Sequence, residues 1–371
     1  MSFFIVNNII TPYRVALFNE MHHQNPDAHF VFLRENESCR SWDIEGEKKE
    51  IKFEYSVLNS LLIRKAKALT SDFFLNHGIS KTFRKASAIL VFGYNYPGYW
   101  QILFYAKWNR IPLIVFCEST LSDDRRTSRL KAWLRAFFFS QCRMILVPGQ
   151  SSKLFVESVV GDKRVVTAPN SVSDAVFNAS FSGQAKELSK EKAHPVKTFL
   201  YVGRLSEEKG VDVLIQAFLM GVEGARLVLV GSGPLDSKLK SFAEGDERIL
   251  FRGYLQKEAL PELYHHSHCL VVPSRSEPWG LVINEAMQCG CPVISSHHVG
   301  AALDLVNEET GWIFSAGDSS DLWRVLKRSA KQTEEERLNM KEAVLHKIAE
   351  YTPKEQASKF NFAFEECVKE V

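Results

Sequence analysis

Two carboxylates on one short stretch, Glu277 and Glu285 in SEPWGLVINEAM, are the residues best placed to do chemistry. The first falls on a polar loop after the apolar run Leu270 to Val272. The second falls within a helix whose apolar positions include Leu281, Val282, Ala286 and Met287. Gly290 and Pro292 stop that helix, and Pro-Val-Ile-Ser begins another strand. Strand, loop, helix and strand make a βαβ unit, and ligands of such sheets lie beyond the carboxyl ends of the strands. The unpaired N–H groups at the helix start, near Gly280 and Leu281, suit an anion. A carboxylate at the mouth, another deeper down and a phosphate seat between them fit a sugar joined to a diphosphate. The plainer alternative is a surface Glu at a helix entry, favoured by the helix dipole, and an ordinary solvated helical Glu.

The chain that must position these groups has 371 residues, enough for two domains, since single cores stop growing at roughly 250–300 residues. Its 46 basic and 44 acidic residues nearly cancel, so nothing points to nucleic acid. The seven cysteines are scattered, several in apolar runs, and read as small buried hydrophobes of a reducing compartment. His265, His266 and His268 line up with no zinc pattern and read as a helix-end cluster. MSFFIVNNII lacks a basic leader and a cleavage site, and no apolar run approaches the roughly 20 residues of a membrane span. The expectation is a soluble, cytoplasmic protein whose first strand lies at its start.

In its context the Glu277–Glu285 pair resembles the E-x7-E motif of the retaining nucleotide-sugar glycosyltransferases of GT-B architecture, glycosyltransferase family 4. The resemblance implies that Glu277 holds donor-sugar hydroxyls and Glu285 accepts from the ribose. Gly203-Arg204-Leu205 to Glu208-Lys209-Gly210 resembles the family's loop in which Arg and Lys clasp the donor diphosphate. Two fixed cations there would stabilise the charge that grows as the sugar leaves. Gly231, in a GxG loop after the strand Arg226 to Val230, is expected to border the nucleotide. Tyr254 and Leu255, beside the base in the family, are expected to give backbone contacts. Pro169 to Asp174 resembles the stretch where the family's chain passes to its second domain. The likeness is strong from Tyr201 to Gly317 and thin before Val147. It implies an α/β fold of two Rossmann-like domains with parallel sheets facing a central cleft. The expected boundaries are 1–175 for an acceptor domain, 176–197 for a linker and 198–351 for the nucleotide-sugar domain. Residues 352–371 are expected to form a terminal helix that crosses back to the first domain.

The first half departs from the family pattern. Where the family has a glycine-rich loop, this chain offers Thr11-Pro12-Tyr13-Arg14, and Arg14 is either a surface helix residue or a cation for the diphosphate. Where many members carry a His at a strand tip, this chain has Glu118, expected to orient or deprotonate the acceptor hydroxyl, or else to pair with Arg125 or Arg126. Gly93 to Trp100 reads as an aromatic strand-end loop that either stacks on sugar or packs half-buried. Thr70 to Arg84 reads as a helix. Arg125 to Arg143 reads as a basic helix with an aromatic face. It is either a crossover helix packed on the sheet or a peripheral membrane contact through Arg129, Lys131, Trp133, Arg135 and Phe138. Basic clusters at Arg64-Lys65-Lys67 and Lys81-Arg84-Lys85 share that half.

The reading is an enzyme that moves a glycosyl group from a UDP- or other NDP-sugar to an acceptor hydroxyl with retention of configuration. The catalytic set is Glu277, Arg204, Lys209 and Glu118; the donor-binding set is Glu285, Gly280, Leu281, Arg14, Gly231, Tyr254 and Leu255. No cofactor or metal is expected, because the cations and helix entrance do the charge work. The acceptor is expected to be a glycan or lipid-linked intermediate of polysaccharide, lipopolysaccharide or glycolipid assembly, handled at the inner face of the membrane if the basic helix docks there. The alternatives are a nucleotide-sugar epimerase of the same architecture and a non-catalytic sugar-nucleotide or glycan-binding protein.

Overall fold

The structure, a computed structural model, describes residues 2–35, 49–64, 73–122, 128–161, 164–173, 177, 196–243 and 245–369. Lys65 and Lys67, Arg125 and Arg126, and the expected linker apart from Phe177, Val196 and Lys197 lie outside the described residues. The chain divides into two compact units, Met1–Val172 with Pro353–Val371, and Ser173–Thr352.

Unit 1 runs β1 (Phe3–Asn7), α1 (Pro12–Gln24), β2 (His29–Phe32), β3 (Tyr55–Val57), β4 (Ser60–Arg64), β5 (Phe73–Asn76) and α2 (Ile79–Thr82). It continues through β6 (Ala88–Val91), α3 (Pro97–Trp108), β7 (Leu113–Phe116), α4 (Arg129–Gln141), β8 (Met144–Val147), α5 (Gln150–Val160) and β9 (Val165–Thr167). Seven strands form one parallel sheet in the order β3-β2-β1-β6-β7-β8-β9. Strands buried on both faces must be apolar throughout, which is why AILV, LIVF and MILV occupy its centre.

Two of the expected elements differ. Phe73–Asn76, expected as helix, is a strand paired antiparallel with β4. Asn76 locks it in place, its backbone N–H donating to Gln101 Oε1 at 2.9 Å and its Nδ2 to the Leu33 carbonyl at 2.8 Å. The aromatic stretch after β6 is loop only as far as Tyr96. Pro97, with its φ already set for a first helical turn, starts α3 and carries Tyr99 into the core and Trp100 onto a helix face.

Unit 2 repeats the plan: β10 (Lys197–Val202), α6 (Val211–Leu219), β11 (Ala225–Val230), α7 (Asp236–Phe242), β12 (Ile249–Gly253), α8 (Leu260–His266) and β13 (Cys269–Val272). Then come α9 (Leu281–Gln288), β14 (Val293–Ser296), α10 (Ala302–Leu305), β15 (Gly311–Phe314), α11 (Ser319–Ala330) and α12 (Glu334–Ile348). Its parallel sheet has the order β12-β11-β10-β13-β14-β15. Both sheets therefore share the doubly wound order, with a switch in strand direction of progress at β1/β6 and at β10/β13.

The last helix, α13 (Pro353–Lys369), belongs to unit 1. It buries Phe360 and Phe364 against the sheet: Phe364 stacks on Phe3 at 4.6 Å, and Phe360 meets Phe92 and Phe116. Among the described residues no helix is long and apolar enough to cross a membrane.

Candidate active site

The residues singled out in the second half all follow strands of unit 2 at the carboxyl edge of its sheet. Arg204 and Lys209 come after β10, Gly231 after β11, Tyr254 and Leu255 after β12, and Glu277 with Gly280 and Leu281 after β13. The β10/β13 pair is the switch point, where the loops of a doubly wound sheet part and leave room for a ligand. The structure brings Lys209 and Glu277 together there as an ion pair, both side chains half-buried.

Backbone contacts hold this pair in place. The Glu277 N–H donates to the His298 carbonyl at 3.2 Å, and the Gly300 N–H donates to the Glu277 carbonyl at 2.9 Å. Arg275 ties the same loop to the one after β10. Its guanidinium grips Asp212 with two bonds of 2.7 Å, and its own N–H reaches the Glu208 carbonyl at 2.8 Å. The Arg275 hydrogen bonds hold the Asp212 carboxyl below its ordinary pKa. Arg204 is exposed and donates to Glu208 at 2.6 Å, as does the Ser206 hydroxyl. Burial pushes the Glu208 carboxyl up, but Ser206, a backbone N–H and Arg204 outweigh it and the pKa falls. The Tyr201 hydroxyl donates to the Arg204 carbonyl at 2.7 Å and feels the charges of Glu277, Glu208 and Arg204, so these groups share one corner of the edge.

Two glycines give the corner its shape. Gly231 has φ +135°, and a Cβ there would lie 1.9 Å from the Gly203 carbonyl oxygen, so the loops after β10 and β11 touch backbone to backbone. Gly280, at φ +96°, turns the chain into α9, and a Cβ would lie 2.8 Å from Val299 Cγ1. Gly280, as N-cap, offers no side chain to cap the first N–H groups of α9, and a helix entrance of this kind suits an anion. Glu285, one turn further along α9, is half-buried and accepts a 2.8 Å bond from the Tyr264 hydroxyl. Burial raises its pKa, against the opposing effects of the Tyr264 hydrogen bond and the nearby Lys257 charge. Lys257 follows Tyr254 and Leu255 closely, so the strand end after β12 approaches the Glu285 end of α9.

In unit 1 the structure joins Arg14 to Glu118, two residues expected to have separate tasks. Arg14, expected as a diphosphate cation, is buried on α1 and directs its guanidinium to Glu118 at 2.5 Å, over the Phe92 ring at 4.3 Å. Burial works against its charge, but the Glu118 carboxylate and Tyr13 outweigh this and raise its pKa. A guanidinium taken out of water needs such a partner, and the nearest carboxylate is the one at the β7 tip. Glu118 also accepts from Asn170 Nδ2 at 2.8 Å. Asn170 Oδ1 accepts from Gln356 Nε2 of α13 at 3.1 Å, and Ser171 closes the chain on Gln356 Oε1 at 2.8 Å. Asn170 lies in the Pro169–Asp174 stretch but had no site role there, and Gln356, Tyr264 and Lys257 carry no motif. Only their contacts reveal them.

On α4 the expected membrane residues divide. Arg129, Lys131 and Trp133 are exposed, whereas Arg135 and Phe138 are buried, Arg135 lying over the Phe155 ring at 4.7 Å. Arg135 and Phe138 therefore pack within unit 1 and are not membrane contacts.

Two doubly wound parallel sheets, the second with a charged switch point, define the GT-B fold. Solved structures agree. HepE of Anabaena in complex with UDP matches 99% of this chain and 100% of its own at a TM-score of 0.76 and 16% identity, a likeness that shows the fold. Residues 184–346 match the family model of the glycosyl transferases group 1. An uncharacterized glycosyltransferase, MJ1607 of Methanocaldococcus jannaschii, is 28% identical over 221 residues, 56% of each protein. The sulfoquinovosyl transferase SQD2 of Arabidopsis thaliana is 32% identical over 155 residues, 40% of this chain and 30% of that protein. The chain thus matches about half the length of the first relative and less than a third of the second.

Proposed function

We propose that this protein transfers a glycosyl group from a nucleotide sugar to an acceptor hydroxyl and keeps the anomeric configuration. The observation that carries the reading is the Lys209–Glu277 pair at the β10/β13 switch point, with Arg204 on the same loop and Glu285 on the helix that follows. In this reading Lys209, Arg204 and the entrance of α9 receive the diphosphate. Glu277 accepts from donor-sugar hydroxyls and Glu285 from the ribose. As the bond from the sugar's anomeric carbon to the diphosphate oxygen breaks, negative charge grows on the diphosphate, and fixed cations stabilise it more than they stabilise the ground state. The acceptor oxygen attacks the same face, and its proton passes to the departing diphosphate oxygen. Glu118, held by Arg14 and Asn170, is the acceptor-side carboxylate of unit 1.

A uridine diphosphate sugar is the donor class we assign. The HepE structures hold UDP and UDP-glucose, and the chain shares their fold. The acceptor we assign is a saccharide or lipid-linked saccharide of envelope or glycolipid assembly. No metal is assigned, since two cations and a helix entrance already meet the diphosphate. The test is a panel of nucleotide sugars with saccharide and lipid-linked acceptors, read by free nucleotide and by the configuration of the new bond, with chelator present. Nucleotide release with an α-linked product from an α-linked donor is expected. An epimerised donor with no free nucleotide would replace the reading, and absence of both reactions across the panel would remove it.

A further inference from the structure

Unit 1 carries an aromatic, basic surface that the donor chemistry does not use. On α3, Trp100, Phe104 and Trp108 recur every fourth residue. On α4, Leu130, Trp133 and Phe137 do so at helical spacing. Core-facing residues would be buried, yet Trp108 is 89% exposed, Leu130 66%, Trp133 62% and Phe104 55%. The two stripes are one surface: Trp100 stacks on Phe137 at 6.4 Å with rings 7° apart, and Trp133 stacks on Phe137 at 6.0 Å. Lys107 bridges the helices by donating to Gln141 Oε1. Isolated exposed apolar residues need no explanation, but a contiguous aromatic surface of this kind marks an interaction site.

The stretches of sequence that carry it are one-sided in charge. From His77 to Cys117, and again from Ser128 to Val156, the sequence holds no Asp or Glu, in a chain with 44 of them. The exposed cations Lys81, Arg84, Lys107, Arg110, Arg129 and Lys131 lie in these stretches. Tryptophan prefers the boundary between lipid and water, and lysine and arginine are drawn to anionic headgroups. Neither α3 nor α4 spans a bilayer, so the fit is a helix pair lying on the surface.

We propose that the α3–α4 face docks on an anionic lipid surface. The stripe also leads toward the acceptor side. Trp100 Nε1 donates to the Tyr94 carbonyl at 3.0 Å, and the Tyr94 hydroxyl shares a 2.9 Å bond with Ser119, next to Glu118. Docking would thus bring a lipid-borne acceptor up to Glu118. This last point rests on the transferase reading; the docking itself does not.

The experiment is flotation of the full chain with vesicles of phosphatidylcholine alone, or of phosphatidylcholine and phosphatidylglycerol in equal parts. Binding to the anionic vesicles alone is expected, with release in salt near 1 M, where the screening length falls to about 3 Å. The paired substitution W108A/W133A, both at exposed positions, should weaken partition about tenfold or more, equal to about 1.4 kcal/mol. Nucleotide release with a water-soluble acceptor and the unfolding temperature should not change. No binding at low salt, or binding that W108A/W133A leaves intact, overturns the proposal. A self-association without vesicles that W108A/W133A abolishes would assign the face to a second copy and also overturn it. Docking without nucleotide release on any donor would sink the transferase reading and leave this one standing.

Discussion

Replacing Lys209 by Met keeps the aliphatic stem and removes the charge that meets both Glu277 and, in the proposed reaction, the diphosphate. A hydrogen bond to a charged group contributes roughly 1.5–3 kcal/mol, so at 1.36 kcal/mol per decade kcat/KM should fall about 10- to 150-fold. Most of the loss should fall on kcat, because the charge on the leaving diphosphate is largest in the transition state. The fold should change little. The Lys209 and Glu277 side chains are 24% and 17% exposed, and the loop is also held by the His298 and Gly300 backbone bonds. A partly solvated pair contributes about 1 kcal/mol, a shift of roughly 2–4 °C in the unfolding temperature. The assay is steady-state nucleotide release together with thermal unfolding, on K209M, E277Q and the double variant. If both residues touch the donor, K209M/E277Q is slower than either single variant. If Lys209 only neutralises Glu277, the double variant recovers toward E277Q or above. Such recovery, or wild-type kcat/KM in K209M, would refute the donor-site reasoning.

Three further outcomes follow from the geometry. Glu285 has a raised pKa, so its ionised form is lost as pH falls through a value above the ordinary glutamate range; nucleotide affinity should drop on that acid limb, and E285Q should bind weakly with a flat profile by calorimetry. The same sign means that ionised Glu285 costs stability near neutral pH and that this cost eases on acidification. Arg14→Leu strands the Glu118 carboxylate; full burial of such a pair would make the loss about 3–5 kcal/mol, and since Glu118 is a third exposed about 2 kcal/mol is expected in denaturant unfolding, with nucleotide affinity unchanged. A nucleotide affinity that falls with R14L would restore Arg14 as a phosphate cation. Gly231→Ala should destabilise by about 2 kcal/mol or more and weaken nucleotide binding, because its Cβ meets the Gly203 carbonyl. Gly221→Ala, also at positive φ but in open space, should show backbone strain alone, about 1 kcal/mol.

The strand-end positions of the proposed donor residues were legible because those residues lie close together in the sequence. Glu277, Gly280 and Glu285 lie on one loop and helix, and Arg204 and Lys209 on one loop, so spacing alone places each group at a strand end. Unit 1 was less legible for the opposite reason. Arg14 and Glu118 are 104 positions apart, and Gln356, on the last helix, is 186 from the Asn170 it touches. No periodicity reports such pairs. Where local pattern misled, tertiary contacts had overridden it: Phe73–Asn76 lies in the stretch expected as helix but pairs with β4, and Phe138 and Arg135 share a basic helix with Trp133 yet face the opposite way, into the core. Burial divides α4 into a packed side and a solvent side, and the sequence showed only that both sides are rich in aromatics and cations.

Both units use the doubly wound strand order, and the family-model match over residues 184–346 falls within the second. The proposed chemistry accounts for this asymmetry. A diphosphate and a ribose are common to every nucleotide-sugar donor, so the cations, glycines and acids that meet them have few substitutes. A diphosphate cradle also tolerates no bulk where the Gly203 and Gly231 backbones touch. An acceptor has no such fixed part. On the proposed reading, unit 1 needs only a polar group held at the tip of β7, and that group can be Glu118 braced by Arg14 and Asn170 as well as a histidine. Glu118→Gln keeps the Asn170 contact and removes the charge, and Glu118→His tests whether the family's usual residue serves at this tip. If Glu118 is the acceptor-side carboxylate, E118Q lowers kcat with acceptor while nucleotide affinity stays unchanged, and E118H recovers part of the rate. Equal kcat in wild type and E118Q would leave Glu118 as no more than the counter-ion of Arg14.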